Sequence, residues 1–599
     1  MRNRPAAVAR CRILFRLSLV FSAVIFQETF ACPQQNNSKE ELLVLPGEVG
    51  RFGGRMVVSL RGEPKTLNPI IAADARSREV IGVMQADLIH INRATQLTEH
   101  SLAKSWKISP DGLTYTLVLR KDLKFSDGQP MDADDVLFSF RVYLDENTHA
   151  PQRDLLIVGG KPIVVRKIDA QTVVFQMAKP YGAGERLFDG MAILPRHLLE
   201  KPFEEGKLGQ IGSPSATANQ WAGLGPFRLK EYVAGQRLVL ERNPYYWKSD
   251  SKGNRLPYLD ELVFLFVPNA DAQVLKFQSG ETDMISQLGA ENFSVLSRQR
   301  NGYTVTDAGP SLEYNFMFFN LNDVSEKASA DLQRKQKWFR QVKFRQAVSA
   351  AADREAIVRL VYQGRGTPIW GLVTPGNKRW NNANLDRPAR SLDRARTLLK
   401  EAGFSWATGQ NGDSTLQDSD GNPVEFSILT SSSNADRSKM AALLQDDLKQ
   451  LGMHVQVVPM EFRSLLDRVA QTKEYDACVM GIASYDADPN SDINVWLSSG
   501  GTHLWNPSQV HPATPWEAEI DHLIEEQLSA RSFDQRKKLY DRAQEILAEY
   551  QPMIFLASPD ILAGAKHSVG NFDPAVLEPY VLWNVEQLYL KNGRENAAR

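Results

Sequence analysis

The alternation of apolar and polar residues predicts strands through the first half of the chain. Residues 113–120 ("LTYTLVLR"), 227–233 ("FRLKEYV") and 237–243 ("RLVLERN") all alternate and are rich in β-branched or aromatic side chains. Ala234-Gly235 supplies a turn between the last two segments. This pattern is typical of antiparallel meanders.

A helical period appears in the second half and alternates with strands. Residues 391–404 ("SLDRARTLLKEAGF") and 435–452 ("ADRSKMAALLQDDLKQLG") have the apolar spacing of helices and reach a glycine at or near their ends. Strands are predicted at 424–432 ("VEFSILTSS") and 453–461 ("MHVQVVPME"), on either side of the second helix. Strand–helix–strand units favour an α/β domain with a partly parallel sheet.

Three neighbouring acids, Asp132, Asp134 and Asp135, have two interpretations. They could form a catalytic or metal-binding cluster, or they could cap the helix predicted over 136–144 ("VLFSFRVYL"). Aspartates at a helix N-terminus accept hydrogen bonds from free N–H groups and complement the helix dipole. No histidine or second acid cluster lies near them in the sequence, so we interpret them as caps.

The chain also lacks the sequence motifs of the common enzyme classes. It has no HExxH, no Gly-x-Ser-x-Gly and no phosphate loop, and its nine histidines lack ligand spacing. We therefore predict a protein that is not an enzyme and that needs no cofactor or metal. A secreted hydrolase built on scattered acids stays an alternative, because catalytic groups are assembled in space rather than in sequence.

The first 31 residues have the pattern of a secretory signal. Arg2, Arg4, Arg10 and Arg12 precede the short apolar run "LSLVFSAVIF", and Ala31 is a small residue at the expected cleavage position. A membrane-spanning helix needs roughly 20 apolar residues, so this run is too short to be one. An uncleaved anchor or a buried helix is the alternative. We predict export to the periplasm or cell envelope.

Cys32 follows the predicted cleavage position and has two possible fates. Thr29 and Phe30 fit poorly to the residues that precede a lipidated bacterial cysteine, although residues 33–41 ("PQQNNSKEE") suit a tether. Cys32 is therefore either a lipid attachment site or a free terminal thiol. Cys478 is then the only cysteine of the folded body, so no disulfide framework is expected and this thiol is predicted to be buried.

Charge argues against a nucleic-acid partner. Without the predicted signal the chain has 65 basic and 70 acidic residues. This balance offers no basic surface of the kind that nucleic-acid-binding proteins present.

Six segments, taken in order, resemble those of a known protein family. They are "EPKTLNP" (63–69), "LAKSWKISPDGLTYTLVLRKDLKFSDGQPMDADDVLFSF" (102–140), "GLGPFRLKEYVAGQRLVLERNPYYW" (223–247), "LDELVFLFVPNADAQVLKFQSGETD" (259–283), "FRQAVSAAADREAIV" (344–358) and "ADPNSDINVW" (487–496). The series is similar to the family 5 extracellular solute-binding proteins of bacterial ABC importers, the oligopeptide- and dipeptide-binding group. The resemblance covers about residues 55–590.

The resemblance implies an α/β fold: a two-lobed periplasmic-binding-protein fold of type II, whose hinge has two chain crossings, with an extra α/β subdomain. The boundaries it suggests are 1–31 for the signal, 32–54 for a linker, 55–80, 218–310 and 553–599 for lobe I, 81–217 for the extra subdomain, and 311–552 for lobe II. The crossing strands are expected at Tyr314–Asn322 and Pro552–Ala557.

The resemblance also implies a function. The protein would capture peptides between its lobes and deliver them, as a monomer, to an ABC permease. In peptide-binding relatives an aspartate in an Asp-Pro- or Ala-Asp-like loop holds the ammonium end of the peptide. The ligand-binding residues expected here are Asp488, Asp486, Tyr485, Trp505, Asn320 and Asn68.

Each of these expectations has an alternative. Asp488 is otherwise a turn and helix cap, and Tyr485 and Trp505 are otherwise core residues. Arg345 is expected to pair with an acid such as Asp353, and no residue is assigned to a ligand carboxylate. The cargo is also open, because the same fold serves other solutes such as nickel chelates, haem, opines or sugars.

Overall fold

The structure is a computed structural model that describes residues 41–212, 221–299, 302–322, 328–408, 414–484 and 486–592. The predicted signal, Cys32 and Tyr485 lie outside these residues. Within the described part, none of the helices has the length and apolar character required to cross a bilayer.

The described elements alternate between strands and helices along most of the chain. The strands are β1 (Leu43–Val44), β2 (Arg55–Leu60), β3 (Ile89–Ile91), β4 (Thr98–His100), β5 (Ala103–Ile108), β6 (Thr114–Leu119), β7 (Ile157–Val158), β8 (Lys161–Pro162), β9 (Val164–Asp169), β10 (Thr172–Gln176), β11 (Phe227–Val233), β12 (Arg237–Arg242), β13 (Lys248–Ser249), β14 (Glu261–Phe266), β15 (Met284–Ile285), β16 (Tyr303–Pro310), β17 (Glu313–Phe319), β18 (Gly366–Pro368), β19 (Ser405–Thr408), β20 (Ser414–Gln417), β21 (Glu425–Ser431), β22 (His454–Met460), β23 (Ala477–Ala483), β24 (Met553–Lys566), β25 (Val569–Gly570) and β26 (Tyr589–Leu590).

The helices are α1 (Ala75–Gly82), α2 (Ala133–Leu144), α3 (Arg196–Glu204), α4 (Ala270–Ser279), α5 (Ala290–Arg298), α6 (Ala330–Phe339), α7 (Val342–Ala351), α8 (Arg354–Val361), α9 (Leu392–Glu401), α10 (Ala435–Lys449), α11 (Phe462–Asp467), α12 (Ile493–Trp496), α13 (Pro515–Ser529) and α14 (Phe533–Tyr550). Short 3₁₀ segments occur at Glu146–Thr148, Arg153–Leu156, Gly184–Phe188, Leu208–Gln210, Pro489–Asp492 and Val585–Gln587, and a π-helical turn at Arg468–Thr472.

One mixed sheet of 12 strands extends through the molecule. Its order is β11-β12-β14-β2-β15-β24-β17-β23-β21-β22, and β16 and β18 also pair with β24. β21 pairs in parallel with β22 and β23, and α10 connects β21 to β22, which is the strand–helix–strand unit that the sequence predicts. A separate antiparallel sheet has the order β5-β6-β10-β9.

The long strand β24 belongs to both halves of the large sheet. Its first part, Met553 to Ala557, pairs antiparallel with β17. Its last part, Asp560 to Lys566, pairs with β16 instead, and Gly564 and Ala565 pair with β15. Because β16 and β17 follow each other along the chain, two neighbouring segments run side by side from one half of the sheet to the other.

Side-chain and main-chain hydrogen bonds join these two segments where the partner of β24 changes. The N–H of Ser311 donates to the carbonyl of Pro559 at 2.9 Å. The carbonyl of Ser311 accepts from Ser558 Oγ at 3.1 Å and from Thr374 Oγ1 at 2.6 Å. The turn between β16 and β17 is therefore fixed to the middle of β24.

Strand β17 is apolar throughout because both of its faces are buried. Met317 and Phe319 point into one core, and Phe316 and Phe318 into another on the opposite side of the sheet. A strand covered on both sides needs a continuous apolar run rather than alternation. Cys478 lies in the second of these cores and is fully buried, which confirms the prediction for this thiol.

Asp132, directly before α2, and Asp135, in its first turn, form a capping box, which confirms the interpretation of these acids as part of a helix N-terminus. Asp132 Oδ1 accepts the N–H of Asp134 at 2.8 Å, and Asp135 Oδ2 accepts the N–H of Asp132 at 3.0 Å. Asp134 itself faces outward and pairs with Lys167 Nζ at 2.7 Å. The acids thus stabilise the N-terminus of α2. The buried side chains of α2 belong to the same core as those of the four-stranded sheet.

The expectation that Arg345 pairs with Asp353 is wrong. Arg345 Nη1 donates to the carbonyl of Phe339 and Nη2 to the carbonyl of Tyr550, both at 2.7 Å. Burial without a directly paired carboxylate lowers the pKa of Arg345 to about 10. Its guanidinium satisfies carbonyls left open where helices end, so it fastens the end of α14 to α7.

Replacing Asp132 by Ala removes one half of the capping box, and we expect the free energy of unfolding to fall by about 1 kcal/mol. Asp134→Ala is the matched control, because it removes only an exposed ion pair of roughly 0.5 kcal/mol or less. Urea unfolding of both variants measures the difference. Equal losses would contradict the capping role.

Candidate ligand-binding site

A cavity of about 440 Å³ opens beside the large sheet. Its wall is formed by α1, by β3 and the residues on either side of it, by the loop that precedes β13, and by the segment 578–586. Tyr246, Trp247, Tyr580 and Trp583 give this wall an aromatic character. Charged and polar residues form about half of the lining, and a volume of this size is typical of a site for a small solute.

His90 stands at the centre of an ion network in this wall. Its Nδ1 lies 3.0 Å from Asp87 Oδ2 and 3.4 Å from Asp189 Oδ1, and Arg93 Nη2 donates to Asp189 Oδ2 at 3.1 Å. Burial alone would lower the pKa of His90, but the two carboxylates outweigh it and raise that pKa to about 9. An imidazolium and a guanidinium therefore balance two acids.

Asp87, His90 and Asp189 also have the spacing of metal ligands, with the ligand atoms within 4.8 Å of one another. A metal binds the neutral imidazole, whereas this network holds His90 in its protonated form. Arg93 already provides a second positive charge at Asp189. At neutral pH the residues present therefore form an internal ion network and do not fit a metal ion.

Lys248 and Glu586 form a second paired group in the same wall. Lys248 Nζ lies 2.7 Å from Glu586 Oε1, and the hydroxyl of Tyr246 donates to the same oxygen at 3.3 Å. Burial would raise the pKa of Glu586, but the ammonium of Lys248 outweighs it and lowers that pKa. Both charges are thus satisfied within the protein.

Two further acids in the wall have no ion-pair partner among the described residues. They are Glu79 on α1 and Glu578, which receives only a 3.5 Å contact from the hydroxyl of Tyr580. Burial and the nearby Glu578 raise the pKa of Glu79 to about 7. Both acids are partly exposed, and Arg61, Arg76 and Arg78 line the same wall.

A second cavity, of about 360 Å³, lies between parts of the chain that are far apart in sequence. One side is formed by residues 98–186, and the other by Arg379, Trp380, Asp488 and residues 529–536. The first side belongs to the predicted extra subdomain and the second to the predicted lobe II. The cavity therefore lies where these two parts of the protein meet.

Asp488 borders the second cavity, but its carboxylate is already paired. Its Oδ1 and Oδ2 accept from Nη2 and Nη1 of Arg536 at 2.7 and 2.8 Å, and Oδ1 also caps Asn490 at 3.2 Å. Asp488 is 4% exposed and Arg536 5%. An ammonium group at Asp488 would have to share or displace a buried two-point ion pair, so this ligand contact stays a prediction.

Asp486 is also paired, and its partner Arg186 belongs to the predicted extra subdomain, whereas Asp486 belongs to the predicted lobe II. Arg186 Nε donates to its Oδ2 at 2.7 Å, and Arg186 Nη2 contacts its Oδ1. The N–H of Gly182 donates to the carbonyl of Leu528 at 2.6 Å in the same region. Asp486 therefore connects the 3₁₀ segment after β10 with the loop after β23.

The other expected ligand residues lie in the interior. Asn68, Asn320 and Trp505 are fully buried and border neither cavity. Both amides donate to main-chain carbonyls, and Trp505 Nε1 donates to Glu517 Oε1 at 3.1 Å. In this structure the three side chains stabilise the scaffold, and a ligand contact would require them to be rearranged.

Arg536 and Arg186 are among the charged residues of the site that the sequence did not indicate, as are the His90 network and the Lys248–Glu586 pair. Arg536 lies 48 residues from its partner Asp488, and Arg186 lies 300 residues from Asp486. No local pattern in the sequence marks any of these pairings.

Residues 98–503 match the family described as bacterial extracellular solute-binding proteins, family 5 middle. The chain belongs to this family. The expectation drawn from the six segments is therefore confirmed, as is the two-lobed α/β fold. The members of this family are substrate-binding components of transport systems.

Two curated relatives cover most of this solute-binding protein. Oligopeptide-binding protein AppA of Bacillus subtilis is 27% identical over 95% of this chain and 97% of its own. Heme-binding protein A of Haemophilus influenzae is 28% identical over 81% of each chain. A solved structure of the B. subtilis AppA in complex with a nonapeptide covers 90% of this chain and 99% of its own, with a TM-score of 0.66 and 26% identity.

Replacing Asp488 by Asn leaves the guanidinium of Arg536 buried without its charge partner. We expect the free energy of unfolding to fall by about 3–5 kcal/mol, as it does when one member of a buried ion pair is removed. Asp386→Asn, an exposed aspartate, is the control and should change it by less than about 0.5 kcal/mol.

Adding Arg536→Met to Asp488→Asn should recover part of the loss, because no unpaired charge is then buried. Thermal and urea unfolding measure all three variants. If Asp488→Asn altered only ligand affinity and left stability unchanged, the pair with Arg536 would not be structural.

Proposed function

We propose that this protein is the substrate-binding component of a bacterial ABC importer that captures peptides between its two lobes and delivers them to a membrane permease. Membership of the family is the observation that carries this proposal. The peptide cargo is supported by the relative named as an oligopeptide-binding protein and by its structure with a nonapeptide.

The lobe boundaries are part of this proposal. Lobe I consists of residues 55–80, 218–310 and 553–599, with 81–217 as its extra subdomain, and lobe II of residues 311–552. The pairing of β24 with β15 and β16 at one end and with β17 at the other supports two crossings near Ser311 and Ser558. Because Met553–Ala557 pair with β17 of lobe II, the second crossing lies a few residues after the expected strand Pro552–Ala557 begins. Rotation about these few residues would open and close the cleft.

The location of the protein belongs to the proposal as well. It is exported by a signal at residues 1–31 and is held in the periplasm or cell envelope, either free or by a lipid at Cys32. It acts as a monomer, binds no nucleic acid and catalyses no reaction. The pairing of Asp486 and Asp488 with arginines supports a structural rather than a catalytic use of these acids.

The second candidate function is the binding of a different solute, such as haem, by the same fold. The relative named as a haem-binding protein matches this chain as well as the peptide-binding relative does in identity, so sequence identity does not choose between them. The fold carries different solutes, and the walls of the cleft select among them.

Native mass spectrometry of freshly purified full-length protein tests the cargo, because a closed cleft retains its solute. We expect peptide masses, and a melting temperature that rises when a randomised peptide library is added. A ligand present at 100 times its Kd should stabilise the protein by about 2.7 kcal/mol. Haem, sugars and nickel chelates, applied separately, are the controls.

Stabilisation by haem or sugars alone would overturn the peptide cargo and keep the binding role. Stabilisation by none of these solutes would contradict the binding role itself. Cleavage of peptides or glycosides by the purified protein would instead support the alternative that it is a secreted hydrolase.

Arg186→Gln removes the ion pair with Asp486 that joins the two parts of the protein. We expect peptide affinity to fall roughly fivefold, because a partly buried pair contributes about 1 kcal/mol to the closed arrangement. Arg166→Gln on β9 is the control and should leave affinity unchanged. Calorimetric titration measures Kd, and equal values in all three proteins would exclude a role for this pair in closure.

A further inference from the structure

We propose that the hairpin of β3 and β4 locks the hinge of this protein, with Gln96 near its tip as a positioning residue that holds lobe II against the extra subdomain. The contact between the loop 92–97 of this hairpin and residues 376–378 of lobe II forms the lock. The lock rests on the function proposed above, because it acts only in a protein whose two lobes separate and close.

The side-chain amide of Gln96 pairs with the main chain of lobe II through both of its polar atoms. Nε2 donates to the carbonyl of Gly376 at 2.7 Å, and Oε1 accepts the N–H of Lys378 at 3.0 Å. In the other direction, Lys378 Nζ donates to the carbonyl of Ala94 at 3.1 Å. Gln96 is fully buried. A buried amide that satisfies two main-chain groups at once fixes both the distance and the direction between the two parts.

The main chain of Gln96 is left-handed, with φ at 62°. Glycine adopts this conformation freely, whereas other residues adopt it at a cost and keep it where the surroundings hold it. The N–H of Gln96 donates to the carbonyl of Asn92 at 2.8 Å, and Asn92 Oδ1 accepts the N–H groups of Ala94 and Thr95 at 3.0 and 2.9 Å. Glycine would suit this loop better by itself, so the glutamine indicates a use for its side chain.

The segment of lobe II that receives Gln96 is attached to the proposed hinge. Thr374 Oγ1 donates to the carbonyl of Ser311 at 2.6 Å. Gly376 packs so closely on the turn before β17 that an added Cβ atom would lie 2.0 Å from the carbonyl oxygen of Pro310. Because Pro310 and Ser311 lie where the chain crosses between the lobes, rotation there displaces the segment and breaks its bonds with Gln96.

A small apolar cluster at the hairpin joins all three proposed parts of the protein. It consists of Ile91 on β3, Leu577 of lobe I, and Leu312 and Ala487 of lobe II. Each of these residues is at most 4% exposed. Rotation that separated lobe II from the hairpin would expose this surface to water, which opposes opening. The apolar contact therefore supports the lock, and the hydrogen bonds of Gln96 give it direction.

The same hairpin is connected to the wall of the 440 Å³ cavity. Arg93 and Asp189 line this cavity, and Asp189 Oδ1 accepts the N–H of Ile91 at 2.8 Å. Arg186, three residues before Asp189, donates through Nη1 to the carbonyl of Gln96 at 3.4 Å. A solute that contacts this wall would therefore act on the hairpin that holds lobe II.

A hydrogen bond away from Gln96 reports whether the two parts separate. The N–H of Gly182 in the extra subdomain donates to the carbonyl of Leu528 in lobe II at 2.6 Å, and the carbonyl of Gly182 accepts from Arg536 Nη1 at 3.2 Å. A change confined to the loop of Gln96 leaves this N–H protected. Release of lobe II exposes it to solvent, and its hydrogen exchange then becomes faster.

Hydrogen–deuterium exchange of the full-length protein without added solute tests the lock. Gln96→Gly removes the amide and suits the left-handed main chain, whereas Gln96→Met removes the two bonds and keeps the bulk of the side chain. In both variants we expect the N–H of Gly182 to exchange roughly 10–30 times faster, because the two lost hydrogen bonds oppose opening. Small-angle scattering should show a larger radius of gyration.

Gln363→Gly is the matched control. Gln363 is also left-handed, with φ at 50°, but it is exposed after α8 in lobe II. The same substitution there relieves the same kind of backbone strain outside the lock. The exchange at Gly182 and the radius of gyration should therefore stay as in the unmodified protein.

A randomised tripeptide library gives a second readout. A solute that binds the closed arrangement has an apparent affinity that falls as the closed fraction of the protein falls. Gln96→Gly should therefore need roughly ten times more library than Gln363→Gly for the same rise in melting temperature. The melting temperatures of the unliganded variants check their folding.

The outcomes separate the lock from the proposed function. Faster exchange at Gly182 in both Gln96 variants, and not in Gln363→Gly, supports the lock even if no peptide binds. Unchanged exchange and scattering overturn the lock, and a library that still raises the melting temperature leaves the proposed function intact. A lower melting temperature of Gln96→Gly with unchanged exchange at Gly182 confines the role of Gln96 to its own loop, which also overturns the lock. Equal acceleration in Gln363→Gly overturns it as well.

Discussion

The antiparallel pairing of β24 with β16 and β17 is the constraint on which the rest of the structure depends. This strand is 14 residues long, and its two ends are hydrogen-bonded into different halves of one sheet. Between these two ends, β18 pairs with Ala557, Ser558 and Pro559 of β24. Under the proposed function, rotation between the lobes is expected at the short interval near Ser311 and Ser558, where β24 changes partner.

Several deeply buried charges are satisfied within the protein. Arg345 and Arg354 donate to main-chain carbonyls, and Asp488 is held by Arg536. Their hydrogen bonds and charges are satisfied within the protein, so these groups stabilise the scaffold.

Local features of the fold were predictable from the sequence because their causes are local. The capping of α2 by Asp132 depends on neighbouring residues, and the continuous apolar run of β17 follows from its burial on both faces. Pairings across long stretches of sequence were not predictable. The sequence places Asp488 in a turn and correctly suggests a cap, yet nothing near it indicates Arg536. Arg345 was assigned to an acid because pairing is the usual solution for a charge, and helix-end carbonyls replaced it.

The placement of the larger cavity explains how one scaffold can serve different solutes. Its wall comes mainly from α1, from loops and from the segment 578–586, and less from the strands of the large sheet. Under the proposed function, a substitution of a charged residue in this wall would change the charge offered to a solute without changing a strand register. The strand pairings and the buried ion pairs hold the scaffold together, and we expect a few side chains of the wall to select the solute. Family membership reflects the scaffold and does not fix the side chains of the cavity wall. The cargo of this protein therefore has to be inferred from its own residues.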